Sequence, residues 1–210
     1  MSTEALSDFT GKKGTAKKRI LILGGGFAGA YTALHLEKKL SQLPEVEIAL
    51  LTKENFVLFT PMLHEVAGGD VAVTDVVQPL RKMLRRTRVA IVDIESIDLV
   101  RKQVRVVHPS LRVSFDVGYD HLVLAVGSVT NFYRTPGMEE HALSMKSLGD
   151  AILVRNRIIE ALNVADNHPD ENERRAMTPG MPFITTSRGT VTCCSICSAE
   201  IPGHCVMIST

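Results

Sequence analysis

The chain has 210 residues, 45% of them hydrophobic and 22% charged, enough to bury a core without disulfide or metal support. Its net charge of +1 supplies no general attraction for nucleic acid or an anionic membrane, so no nucleic-acid partner is expected. No apolar run approaches the roughly 18 residues of a membrane span, which limits any membrane contact to a peripheral one.

Residues 1–18 carry Lys12, Lys13, Lys17 and Lys18 among Ser, Thr and Gly, and read as a disordered basic leader with no signal-peptide core behind it. A cytoplasmic location is the default. Ile20–Leu23 then forms four apolar residues in a row, the pattern of a buried parallel strand. Gly24, Gly26 and Gly29 follow it at G-x-G-x-x-G spacing, within Gly24-Gly25-Gly26-Phe27-Ala28-Gly29. Such a turn lets the chain reverse, lets a pyrophosphate approach bare backbone, and lets the next helix pack closely. Ala30, Ala33, Leu34, Leu36 and Leu40 continue at helical spacing, and Val46–Leu51 resumes a β-rich run. Strand, glycine turn, helix, strand is the context of a dinucleotide cradle, with the anion on the helix N-terminus.

Beyond Leu51, a ribose-binding fold places Asp or Glu at the end of its second strand. Here Thr52 stands at that point, followed by Lys53 and Glu54. Thr52 can hydrogen-bond a hydroxyl, and two readings of Glu54 stand: a substitute for the missing carboxylate, or an ordinary exposed loop acid. Residues 56–67 are apolar, aromatic and Met-rich without a clean period, and Pro61 interrupts them. Core packing and a wall for a flat apolar ring both fit that stretch. His64 and Glu65 are adjacent within it, and a structural histidine suffices to explain them.

Thr74-Asp75 offers a helix cap for an apolar stripe of Val76, Val77, Leu80, Met83 and Leu84, and Arg81, Lys82, Arg85 and Arg86 read as a solvated basic face, with a phosphate or anionic-lipid patch as the alternative. From Val89 the pattern predicts short strands over Val89–Ile94, Ser96–Leu99, Gln103–Val107 and Val113–Phe115 as antiparallel hairpins. Leu122–Ala125, running into Val126-Gly127, predicts the closing strand of the nucleotide sheet. Asn131–Glu140 reads as a loop. Ser147 caps a long amphipathic helix to about Val164, with Ala151, Val154, Ile158, Ile159, Leu162 and Ala165 inside. The polar run 166–173 is a linker or a helix break.

Taken in order, residues 22–29, 54–67, 79–86, 119–128 and 148–158 resemble type II NADH dehydrogenases, within the larger pyridine-nucleotide flavoprotein superfamily. The resemblance covers roughly Lys18 to Arg175. It implies an α/β, Rossmann-like FAD-binding domain over residues 19–176, with a parallel sheet and an inserted antiparallel β-meander. It implies FAD with its pyrophosphate at Gly24–Gly29, adenosine near Thr52, Lys53, Glu54, Val89 and Ala90, and flavin near Thr60, Pro61, Ala125 and Gly127. Family members pass a hydride from NAD(P)H to the flavin and electrons onward to a quinone, so quinone and NADH are the implied partners. A peripheral position on the inner face of the cell membrane goes with that chemistry, and no catalytic side chain is expected because the cofactor carries the reaction.

After the linker the family places a second G-x-G-x-x-G for NADH, and residues 177–210 hold an atypical tail instead. Its composition shift reads as a truncation or a foreign or frame-shifted extension, with neither sheet nor helix period. All four cysteines lie there, Cys193, Cys194, Cys197 and Cys205, beside His204. A metal or redox site and a loosely ordered tail remain open for them, and no metal is assigned. Two other functions stand beside the oxidoreductase: a non-catalytic flavin-binding fragment, and a flavin reductase using the tail cysteines.

Overall fold

The computed structural model describes residues 18–177, 183–186 and 205–209. In chain order the elements are β1 (Lys18–Leu23), α1 (Phe27–Lys39), β2 (Val46–Thr52), β3 (Phe56–Leu58), a 3-10 turn at Thr60–Met62, α2 (Leu63–Gly68), and a 3-10 turn at Val73–Asp75. There follow β4 (Val77–Pro79), α3 (Leu80–Met83), β5 (Arg88–Ile91), β6 (Asp93–Asp98), β7 (Gln103–Val107), β8 (Ser114–Gly118) and β9 (His121–Leu124). The last are α4 (Met138–His141), β10 (Ala142–Ser144), α5 (Leu148–Asn167), α6 (Glu171–Met177), β11 (Phe183–Thr186) and β12 (Cys205–Ser209). The chain divides into two units: one holds the described residues up to Val57 with Gln78–Gly127, the other Leu58–Val77 with those from Ser128 onward.

In the first unit a parallel sheet runs in the order β5-β2-β1-β9. The apolar run of β1 is continuous because both faces of the sheet are covered. Leu21 and Leu23 point to one face, where they join Ala49, Leu51, Ala90 and Val92 with Val104, Val106, Val117 and Tyr119 of the β6–β8 meander. Ile22 points to the other, with Ala30 and Ala33 of α1, Ile48, Leu50 and Leu80. Each leucine-sized side chain buried this way contributes about 1.5–3 kcal/mol. The α/β class with its antiparallel meander is as the sequence predicts. The strand expected over Val89–Ile94 is split, however: Arg88–Ile91 joins the parallel sheet, and the meander begins at Asp93.

The helix expected after Thr74-Asp75 is corrected to the four residues of α3, and Thr74-Asp75 lies in a 3-10 turn. Pro79 holds an extended ψ of 125° and ends β4, which delays the helix until Leu80. The apolar stripe divides as a result. Val76 and Val77 pack in the second unit's core, whereas Leu80, Met83 and Leu84 pack in the first unit's.

In the second unit α2 and α5 bury Leu63, Val66, Ala67, Ala151 and Val154 with Met145 and Val76. Ser147 caps α5 as its sequence predicts: its Oγ accepts from the Asp150 N–H at 3.1 Å while Asp150 Oδ2 accepts from the Ser147 N–H at 2.8 Å. The helix runs three residues past Val164, to Asn167, and Ile159 and Leu162 lie exposed rather than inside. The expected loop 131–140 ends in the short helix α4. The polar run breaks at His168 and restarts as α6, with Asp170 Oδ1 accepting from the Asn172 N–H at 2.7 Å. The tail, expected to lack sheet period, supplies β11 and β12, which with β10 form a parallel sheet in the order β10-β12-β11. The expected leader lies outside the described residues apart from Lys18, which opens β1.

Glu47 on β2 binds Arg19 at 2.9 Å and Arg88 at 2.8 Å, joining three neighbouring strands. Burial pushes its carboxyl up, but hydrogen bonds from Arg88 and Arg19 and their charges outweigh this and hold it below the ordinary value. The stability it contributes is therefore complete above about pH 4.5 and is lost as pH falls through the lowered folded value. In urea unfolding followed as a function of pH, Glu47→Gln is expected to lower the midpoint at neutral pH and to flatten the acid side of the profile.

Candidate functional site

Because β1, β2, β5 and β9 are parallel, their carboxyl ends share one edge of the sheet. The turn after β1, the Thr52–Glu54 segment at the end of β2 and Ala125–Gly127 after β9 all lie at that edge. Chain order reverses between β1 and β9, since α1 carries the chain from β1 to β2 while β9 returns from the meander. Open α/β sheets bind ligands at such a switch point.

The glycines of the turn differ in what surrounds them. Gly24 has φ +105°, and a Cβ there would overlap the Ala125 carbonyl, its carbon lying 2.7 Å away. A Cβ on Gly29 would overlap the Gly24 carbonyl, with its carbon at 3.0 Å. Gly25 lies under Thr52 and Leu80, whose Cβ and Cδ1 atoms would be 2.8 and 2.9 Å from an added Cβ. Gly26 is unlike these three: a Cβ there would meet nothing within 4 Å. Among the described residues no packing requires glycine at Gly26, and its bare backbone faces open space.

That space adjoins the start of α1. Gly26 is the N-cap, no side chain caps it, and no acid lies in the first turn. The positive end of the helix dipole favours an anion at this place. Phe27 and Ala28 in that turn are exposed, and Phe27 stacks on Tyr31 with ring centroids 6.4 Å apart. The donor set and the open Gly26 fit a dinucleotide pyrophosphate.

A scan against family models matches residues 18–164 to the pyridine nucleotide-disulphide oxidoreductases. The chain belongs to this family. It is 31% identical, over 77% of its length, to an external alternative NAD(P)H-ubiquinone oxidoreductase of Arabidopsis thaliana, and covers 28% of that protein. A type II NADH:quinone oxidoreductase of Mycobacterium tuberculosis is 33% identical over 76% of this chain, which covers 34% of it. Among solved structures, NDH2 from Plasmodium falciparum in complex with NADH has a TM-score of 0.68 at 22% identity, over 80% of this chain and 34% of that one. The likeness to NDH2 bears on the fold. The chain spans about a third of the length of these relatives.

Within this member of the family the other expected site residues are distributed as follows. Thr52 is only 4% exposed and its hydroxyl donates to the Glu54 carbonyl at 2.9 Å. Lys53 and Glu54 are exposed, with Lys53 Nζ 3.7 Å from Asp93. Val89 is half-buried against the α1 face of the sheet, and Ala90 is buried in the opposite core. The Ala90 side chain thus serves the core rather than lining the edge. Ala125 is half-buried and Gly127 exposed, with φ +74° and nothing within 4 Å of an added Cβ. Thr60 and Pro61 belong to the second unit, exposed in the turn that enters α2. Of the apolar segment 56–67, Val57, Leu63, Val66 and Ala67 serve as core.

Asp93 is the residue that sequence reasoning does not single out. Its signal is its place as the first acid after the apolar run Val89–Val92. His64 is exposed and Glu65 half-buried, with His64 Nε2 3.8 Å from Glu65 Oε1. Among the described residues no cluster of His, Cys, Asp or Glu is arranged to hold a metal, and no helix is long and apolar enough to cross a membrane. Cys193, Cys194 and Cys197 lie outside the described residues, and of Cys205 only the backbone in β12 is described.

The glycine geometry separates two kinds of substitution. Gly24→Ala and Gly29→Ala are each expected to cost about 1–3 kcal/mol, because backbone rather than a flexible side chain must yield. Gly26→Ala, at an ordinary φ of −73°, is expected to stay within about 0.5 kcal/mol of the parent in urea unfolding.

Proposed function

We propose that the first unit holds FAD along the carboxyl edge of its sheet, and that residues 19–176 are the FAD-binding domain of an NAD(P)H:quinone oxidoreductase. The observation that carries this reading is the open space at Gly26, set at the uncapped start of α1. The backbone of Gly24, Gly25, Gly26, Phe27, Ala28 and Gly29 binds the pyrophosphate, with the helix dipole favouring its charge. Lys53, Val89 and the Ala90 backbone bound the adenosine end, and Ala125 and Gly127 the flavin end.

The bound flavin supplies the hydride and electron transfer chemistry. The protein's own part is positioning, so no side chain is assigned a proton-transfer role. Gly127 keeps the β9 end free of a side chain, which leaves room for a flat ring beside it. The names of the Arabidopsis and mycobacterial relatives support NAD(P)H as donor and quinone as acceptor. Quinone is a lipid-phase substrate, which supports a peripheral position at the membrane.

The test is spectroscopic. Purified protein is expected to carry flavin absorbance that acid releases as FAD, and Gly26→Ala is expected to lose most of it while unfolding at the parental urea concentration. A colourless parent with no affinity for added FAD overturns the reading. Addition of NADH without other reductase is expected to bleach the absorbance; FAD that binds but does not bleach identifies a flavin-holding module instead of an enzyme.

A further inference from the structure

In folds of this kind an acid at the end of the second strand accepts the adenosine ribose hydroxyls, and the chain has Thr52 at that place. Thr52 is 4% exposed, its side chain lies against Gly25, and its hydroxyl proton is committed to the Glu54 carbonyl at 2.9 Å. It is turned into the protein, toward the loop. The short bond across one residue bends the chain just after β2 and fixes the backbone from which the Glu54 side chain leaves.

Charges around the segment are arranged unevenly. Lys53, the neighbouring cation, pairs with Asp93 beyond the end of β5. Among the described residues no hydrogen bond or ion pair engages the Glu54 carboxylate. A carboxylate at this edge can accept from a ribose diol, whereas an alkylammonium can only donate. Thr52 ends the strand beside the glycine turn and Glu54 follows it in the same unit, so one side of the cradle ends in an acid with unused acceptor capacity.

We infer that Glu54 is the ribose-recognising acid of this chain, displaced two residues from the strand end, and that Thr52 is the positioning residue that holds it there. The inference rests on the proposal that FAD occupies the cradle. It makes the segment specific for an adenosine ribose with a free 2′-hydroxyl and disfavours a 2′-phosphate through like charge.

The apoprotein is titrated with FAD and with the FAD analogue whose adenosine ribose lacks the 2′-hydroxyl, following quenching of flavin fluorescence. The parent is expected to prefer FAD by about tenfold, the scale of a charge-assisted hydrogen bond. Glu54→Gln is expected to lose most of that preference while binding the analogue as the parent does. Thr52→Val is expected to reduce the preference, and Thr52→Ser to restore it. A Glu54→Gln protein that keeps the parental preference, or a parent without one, overturns the inference while leaving FAD binding intact. A parent that binds neither flavin overturns the underlying proposal as well. Because Glu54 is exposed, unchanged urea unfolding of Glu54→Gln excludes loss of fold as the cause.

Discussion

The carbonyl of Gly24 occupies the place that a Cβ on Gly29 would take, and the arrangement of the first unit follows from this approach. It presses the first turn of α1 onto the end of β1, so Ala30 and Ala33 can pack directly on Ile22, Ile48 and Leu50. On the other side of the same turn, the missing side chain of Gly24 admits the Ala125 carbonyl. That closeness lets β9 extend its pairing with β1 through the Ala125 N–H, which donates to the Leu23 carbonyl at 2.8 Å. Two absent methyl groups thereby determine how a helix and two strands meet. The open backbone at Gly26 is held in place by that packing.

Carboxylates stabilise the joints that glycine does not. Glu37, near the end of α1, accepts from the N–H groups of Arg86 and Thr87 at 2.9 and 2.7 Å. Burial raises its carboxyl, but the hydrogen bonds from the 85–87 segment hold it below the ordinary value. The helix is thus fastened at both ends, by close backbone contact at its start and by an anion receiving N–H groups near its end. The second unit uses the same chemistry. Asp150 Oδ2 accepts from Ser144 Oγ at 2.9 Å and from the Lys146 and Ser147 N–H groups at 2.8 Å, tying β10 to the start of α5. Burial again raises this carboxyl, but the accepted hydrogen bonds outweigh it and hold it below the ordinary value.

Features set by local geometry were legible in the sequence. The apolar run before Gly24 and the glycine spacing mark strand and turn, because both depend on residues within one turn of chain. The Ser147–Asp150 box is legible for the same reason. The stretch 76–84 misled: its apolar residues have helical spacing, yet Val76 and Val77 serve one core while Leu80, Met83 and Leu84 serve another. Spacing reports that residues are apolar, not which core receives them. Ile159 and Leu162 of α5 carry the same lesson, being apolar and exposed.

The sequence by itself determined the strand, glycine turn and helix at Ile20–Leu40, the order of motifs that places the chain in its family, and the alternation of parallel strands with a meander. These depend on backbone demands that few residue types meet. Tertiary structure alone decided how that turn is finished: that Gly26 faces open space while Gly24, Gly25 and Gly29 face protein, that Thr52 turns inward, and that Lys53 meets Asp93. The reason is physical. Which hydrogen-bonding capacity is spent and which is left over depends on atoms brought together by pairing strands far apart in the chain, and no local pattern records that distance.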